Sequence, residues 1–245
     1  MPRTAIFASS SHQDLTANPG QERVPRPTRM TRTMRSEYCI ASSSGIVASG
    51  PMLVAGVDSV EGSSLGELKP GHIAGNGNVA LTGPATRVTG DVKAVGSVSR
   101  GSGVAVEGQV EERHSSVALP LIPLAAYDPG LDPTVVRQLD ASYPGLTVDG
   151  LARRSGDLML NVSGLSLSNG LLYVDGNLTV NGGVTGRGAI ICTGDVTVTG
   201  GGSLSTTNMA AVVARGKVTL SGSSGAYFRG LVYTETGMEA SHLKL

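Results

Sequence analysis

Three stretches of the chain superimpose without gaps: Leu171-Leu-Tyr-Val-Asp-Gly-Asn-Leu-Thr-Val-Asn-Gly182, Ala189-Ile-Ile-Cys-Thr-Gly-Asp-Val-Thr-Val-Thr-Gly200 and Ala211-Val-Val-Ala-Arg-Gly-Lys-Val-Thr-Leu-Ser-Gly222. Each is an apolar run, a glycine followed by a polar residue, an alternating run, and a closing glycine. A fourth copy, Gly230-Leu-Val-Tyr-Thr-Glu-Thr-Gly237, begins the same way and then diverges. A partial copy, Gly156-Asp-Leu-Met-Leu-Asn-Val-Ser-Gly164, precedes them. The central glycines stand at positions 156, 176, 194 and 216. The period is therefore about 18–22 residues, a range that belongs to solenoid repeats.

Within each unit the glycine supplies a corner between two short strands. In the second strand, Leu178 and Val180, Val196 and Val198, and Val218 and Leu220 point one way, with Thr179, Thr197 and Thr219 pointing the other. The first strand is apolar almost throughout (172–174, 190–192, 212–214), which predicts cover on both of its sides. One unit is too short to bury its own apolar residues, but stacked units align equivalent residues in columns about 4.8 Å apart. At roughly 1.5–3 kcal/mol per buried Val or Leu, those columns make a substantial core. The expected fold is therefore all-β, a parallel β-helix (β-solenoid) with rungs of about 18–22 residues. A sandwich of antiparallel hairpins is the alternative, since Gly-Asp and Gly-Asn could serve as turns. The near-identical register of the copies favours stacking.

A weaker set of copies lies upstream: His72-Ile-Ala-Gly-Asn-Gly-Asn-Val-Ala-Leu-Thr-Gly83, Ala85-Thr-Arg-Val-Thr-Gly-Asp-Val-Lys-Ala-Val-Gly96 and Gly103-Val-Ala-Val-Glu-Gly-Gln-Val110. Aligned on Gly77, Gly90 and Gly108, they stand closer together than the later copies, which suggests shorter rungs. Between the sets, Pro120 to Pro144 carries most of the mid-chain prolines, and Asp132-Pro133-Thr134 offers a helix N-cap with proline at the first helical position. A short helix over 133–141 is expected, within an insertion that lies on the solenoid or connects two stacks. The organisation read from the sequence is an Arg- and Pro-rich disordered tail (1–40), a first solenoid block (41–112), a Pro-rich connector with a short helix (113–150) and a second solenoid block (151–245).

Composition narrows the function. The chain has 245 residues, 35 of them glycine, no tryptophan, and 19 basic against 19 acidic residues. Zero net charge argues against a nucleic-acid partner held by phosphate contacts, and few aromatics argue against base stacking. The glycines lack the three-residue period of collagen. No apolar run is long enough for a membrane span, and none after Met1 reads as a secretory signal. Cys39 and Cys192 have no metal-ligand spacing and read as two free thiols rather than a bridge. No metal or cofactor is expected.

Three of these segments, 170–182, 188–200 and Arg229-Gly-Leu-Val-Tyr-Thr-Glu-Thr-Gly237, resemble the glycine-rich solenoid domain of bacterial PilX-like, type IV pilus-associated proteins. The Gly-Asn-Val and Gly-Asp-Val corners within residues 40–112 and the Leu-Pro-Leu-Ile-Pro-Leu-Ala-Ala-Tyr-Asp-Pro connector fit the same layout. More loosely, the repeats are similar to bactofilins, which are polymer-forming β-helices. The resemblance implies a bacterial, non-enzymatic structural or adhesive module outside the cell or on its surface, with pilus or cell-surface components as partners. A cytoplasmic place is the other option, given that no signal peptide is visible.

Two sets of residues are candidates for chemistry. Asp157, Asn177, Asp195 and Lys217 would stack on one corner, where Asp157, Asp195 and Lys217 could serve a polysaccharide-processing enzyme, since glycosidases use paired carboxylates. Against this, Asp and Asn suit any solvated turn, and two rungs, roughly 9.6 Å, separate the two carboxylates. The outward residues Thr179, Thr197 and Thr219, with Asn181, Thr199 and Ser221, form a candidate surface-binding face and an ice-binding alternative. Threonine is equally an ordinary resident of an exposed strand face. A last expectation concerns the carboxy end: with little chain after the fourth unit, it would leave an open strand edge prone to self-association.

Overall fold

A computed structural model describes residues 38–57, 68–116, 122–200, 203–223 and 227–244, together with the strands Arg3–Ala8 and Thr31–Ser36. The tail expected over 1–40 falls largely outside the described residues. Within it, those two strands pair antiparallel in a sheet of their own.

The fold is a parallel β-solenoid. Each rung contributes a strand to three faces, and each face is a parallel ladder along the stack. The first face runs through Val136–Gln138, then 151–155, 171–175, 189–192, 212–214, 232–234, 40–42, 73–75, 92–94 and Val110–Glu111. The second face runs through 142–143, 158–160, 178–181, 196–199, 218–221, 238–241, 46–48, 79–81 and 98–100. The third runs from 145–148 through 164–168, 184–187, 203–205, 227–229, 243–244, 52–54 and 87–88 to 105–106.

The order of these strands is not the order of the chain. The last rung of the second block stacks directly on the rung that begins the first. Val232 pairs with Ile40, Met238 with Ile46 and Leu243 with Met52. The two blocks are thus one continuous stack whose junction lies mid-rod. This corrects the open edge expected at the carboxy end, because the first block covers it. Met238, Ala240 and Leu243 on one side and Ile40, Ile46, Ala48 and Met52 on the other are all buried.

The inward columns form the core the repeat predicts. Leu178, Val180, Val196, Val198, Val218 and Leu220 are no more than 1% exposed. The first face is covered on both sides, also as expected. Leu172, Ile190 and Val212 point into the solenoid, while Tyr173, Ile191, Val213, Tyr233 and Ala41 form a second apolar cluster outside it. Ile122 and Leu124 of the connector lie on that outer stripe, with Tyr127 packed beside them. The Pro-rich segment is therefore both a connector and a strap.

Two local expectations are corrected. No helix spans 133–141. Asp132 Oδ1 accepts the Thr134 N–H at 2.9 Å and its hydroxyl at 2.7 Å, the Asp132 carbonyl accepts the Val136 N–H at 2.9 Å, and Val136–Gln138 then joins the first face. An aspartate that can cap a helix can equally close a turn, and strand pairing decides between them. Among the described residues of the connector the helical element is a 3-10 turn, Leu124–Tyr127. Nor are the rungs of the first block shorter. Ile73 pairs with Val92 and Val92 with Val110, the same repeat that sets Leu172 beside Ile190 in the second block. Gly77 turns the corner from first to second face, whereas Gly90 and Gly108 turn the corner from third to first. The short interval from Gly77 to Gly90 joins two different corners.

Candidate functional site

The corner between the first and second faces carries Asp157, Asn177, Asp195 and Lys217 on successive rungs, as the repeat predicts. Their geometry is a ladder. Asp157 Oδ1 accepts the Asn177 N–H at 2.8 Å, Asn177 Oδ1 accepts the Asp195 N–H at 2.9 Å, and Asp195 Oδ1 accepts the Lys217 N–H at 2.7 Å. Each side chain satisfies a backbone donor that the sheet ladder leaves free at the corner. The glycines before Asn177, Asp195 and Lys217 follow from the same contact. A Cβ on Gly194 would collide with Asn177 Oδ1, and one on Gly216 with Asp195 Oδ1. The Gly-Asx pair thus propagates itself, since the Asx of one rung occupies the space that excludes a side chain on the next.

Lys217 has no side-chain acceptor to continue the ladder. Its Nζ instead reaches Glu239 Oε1 at 2.6 Å, one rung further along the second face. Asp157 and Asp195 are separated by Asn177 and do not converge as a pair. The structure therefore brings the three candidate catalytic residues to one corner, as expected, and gives one oxygen of each carboxylate a backbone amide to hold.

The first block uses the same device at two corners. Asn78 Oδ1 accepts the Ser97 N–H at 3.0 Å where the first face meets the second. Where the third face meets the first, His72 Nδ1 accepts the Asp91 N–H at 3.0 Å and Asp91 Oδ1 accepts the Gln109 N–H at 2.8 Å. An imidazole nitrogen here does the work of an amide oxygen.

On the second face, Thr179, Thr197 and Thr219 stand in register and half-buried, with Met159 before them and Glu239 after. The neighbouring file of Asn181, Thr199 and Ser221 is bonded along the stack. Thr199 Oγ1 donates to Asn181 Oδ1 at 3.0 Å, and Ser221 and Ser241 hydroxyls meet at 3.0 Å. The uninterrupted hydroxyl array is three rungs deep, bounded by a thioether on one side and a carboxylate on the other.

A third polar group was not legible in the sequence. Arg153, 7% exposed on the outer side of the first face, makes a two-pronged bond to Asp128 of the strap, Nε to Oδ1 at 2.7 Å and Nη2 to Oδ2 at 2.9 Å. It also donates to Ser155 Oγ, lies 3.6 Å from Asp175 Oδ2 and stands 5.7 Å from the Tyr173 ring centroid. The guanidinium bond holds the Asp128 carboxyl below its usual range, and the same bond raises Arg153 further above its own. Burial pushes the Tyr173 phenol up. No spacing links residue 128 to residue 153, so only the fold could pair them. The group is a clamp that pins the strap.

Cys192 is buried in the inward column of the first face and donates to the Gly176 carbonyl at 2.9 Å. Thr234 donates to the Gly216 carbonyl in the same way. Burial pushes the Cys192 thiol up to about 11. Neither cysteine is in a disulfide. Among the described residues no group of three or more His, Cys, Asp or Glu side chains is placed to hold a metal ion, and no helix is long and apolar enough to cross a membrane.

The fold and these sites together define a parallel β-solenoid with internally bonded corners. No family model, curated protein or solved structure matches the chain.

Proposed function

We propose that the chain is a non-enzymatic structural or adhesive solenoid module of a bacterial cell surface, pilus or polymer. One observation carries the reading: the corner side chains are built into the stack, each Asx holding the next rung's amide with one oxygen, and the two carboxylates stand one rung to either side of Asn177. A general acid and its partner must converge on a substrate, whereas these side chains line up along a rod. The bacterial surface and the pilus come from the sequence resemblance alone.

The test has two arms. Incubation of the full chain with a broad glycan panel is expected to give no cleavage, while sedimentation with bacterial envelope fragments is expected to carry it down. A glycan-cleaving activity that disappears in Asp195→Asn would overturn the proposal, because asparagine keeps the ladder acceptor and removes only the acid. Failure to sediment with envelopes of any of a range of bacteria would remove the adhesive reading.

A further inference from the structure

The two ends of the rod differ. At the end that begins with Val136, the inward side chains of the first rung are sealed: Val136, Leu139, Leu146 and Val148 are no more than 6% exposed. Pro144 also removes one backbone donor from that edge. At the other end, the strands Val98–Arg100, Ala105–Val106 and Val110–Glu111 each pair with one neighbour only, the rung behind them, among the described residues. Their inward side chains Val98, Val104, Val106 and Val110 are half-buried, whereas Val79, Val88 and Val92, one rung in, are fully buried.

The direction of the backbone bonds shows what this end lacks. One rung in, the Val79 N–H donates to the Ser97 carbonyl of the following rung at 2.9 Å. Val98 is the register partner of Val79, and among the described residues no rung follows it. Its N–H is taken instead by Glu112 Oε1 at 2.7 Å. A carboxylate thus stands where a further strand would place a carbonyl. Two residues along the same strand, Arg100 occupies the register position of the buried Leu81 and is exposed. The end therefore presents an apolar centre, open strand edges and charges of both signs on its rim; Glu107 and Glu111 are paired with Arg87 and with Lys93 and His114, while Arg100 and Glu112 flank the strand 98–100.

We infer that this end is the contact surface for a second copy of the chain, joined open end to open end across a two-fold axis. Inward-position charges reject an arbitrary apolar strand edge. A two-fold copy is the partner that answers them, because an axis passing near Ser99 brings Arg100 of each copy to Glu112 of the other. The contact is isologous and the opposite end offers no open apolar centre, so assembly stops at two copies instead of running on into a filament. The pairing is independent of whether the rod serves a cell surface.

The experiment uses the full chain and a charge swap. Sedimentation over a concentration series is expected to show a monomer–dimer equilibrium with no larger species. Arg100→Glu alone and Glu112→Arg alone are each expected to weaken dimerisation by about tenfold or more, since each sets like charges face to face. Mixing the two variants is expected to restore dimers, because in the mixed pair two acidic groups on one copy face two basic groups on the other. Unchanged melting of each variant shows that the swap acts at the contact and not on folding, and a variant that melts early is replaced by Arg100→Ser, which is expected to weaken dimerisation by loss of the attraction alone, without rescue on mixing. A chain that stays monomeric at all concentrations, one that grows into filaments, or a dimer indifferent to the swap overturns the inference.

Discussion

The second block (151–245) and the first (41–112) are built from the same rung, yet they use it differently. In the second block one corner carries an unbroken ladder, Asp157 to Asn177 to Asp195 to Lys217, and its glycines repeat at the rung length. In the first, two corners each carry a short ladder, one of them started by His72. What recurs is a contact: an acceptor reaching the next rung's amide over a residue with no side chain. Where that contact stays at one corner the sequence looks periodic, and where it changes corner the period blurs while the rung stays the same.

The largest break in the comparison should come from the glycines. Gly216→Ala would drive a Cβ into Asp195 Oδ1 and place it 2.5 Å from the Gly194 backbone, which cannot withdraw. A loss of about 4 kcal/mol or more is expected by urea denaturation. Gly103→Ala in the last rung of the first block meets nothing closer than 3.6 Å and only strains a left-handed residue, at about 1–2 kcal/mol. Equal losses at the two positions would show that close approach is not what selects glycine.

Next is the core. Ile190→Ala, fully buried mid-stack, is expected to cost about 2–5 kcal/mol, and Val106→Ala, half-buried on the open rung, less than about 1 kcal/mol. The same denaturation series checks both.

The strap clamp gives a smaller, pH-dependent effect. Asp128→Ala is expected to lose about 1–3 kcal/mol at neutral pH, the scale of a hydrogen bond to a charged group. The folded carboxyl titrates below its ordinary value of 3.8, so its contribution is complete above that value and fades as the pH falls through the lowered folded one. Melting curves of the parent should therefore lose this increment at acid pH, and Asp128→Asn should not show that loss.

The smallest effect sharpens the ladder itself. Asp195→Ala is expected to cost about 0.5–1.5 kcal/mol, and Asp195→Asn close to nothing, because only the acceptor oxygen matters. Asp91→Asn should be equally silent in the first block if both corners work the same way. Amide exchange at Lys217 and Gln109 reports each ladder directly.

The rung, the corner glycines, the inward and outward columns and the double cover of the first face were all legible from residues 171–222. There the determinants are local, because a Gly-Asx corner and an alternating strand follow one another in a single short segment. The third face was not legible. Its strand 164–168 alternates leucine with serine, but 184–187 does not continue the alternation and repeats none of the residues it pairs with. The turn at Asp132 is ambiguous in the sequence because its signals serve a helix cap equally well, and pairing of Val136–Gln138 with 151–153 settles the matter from a distance. The clamp of Arg153 on Asp128 and the docking of residue 232 on residue 40 are likewise long-range. For the catalytic candidates, the sequence placed Asp157, Asp195 and Lys217 correctly on one corner, but the amide that each carboxylate holds belongs to the next rung, 20 or 22 residues away, and follows only from the stacking.

The mid-rod junction has a consequence for how the molecule comes into being. A chain made from its amino end presents the first block early, with Ile40, Ile46 and Met52 facing the place that residues 232–243 will fill. Those partners lie beyond the whole connector and most of the second block, and are synthesised long after it. Long-range closure of this kind is slow, and the waiting edge is sticky. Until synthesis passes Leu243, the first block is half of a joint, and a chaperone or a neighbouring nascent chain has the opportunity to meet it first.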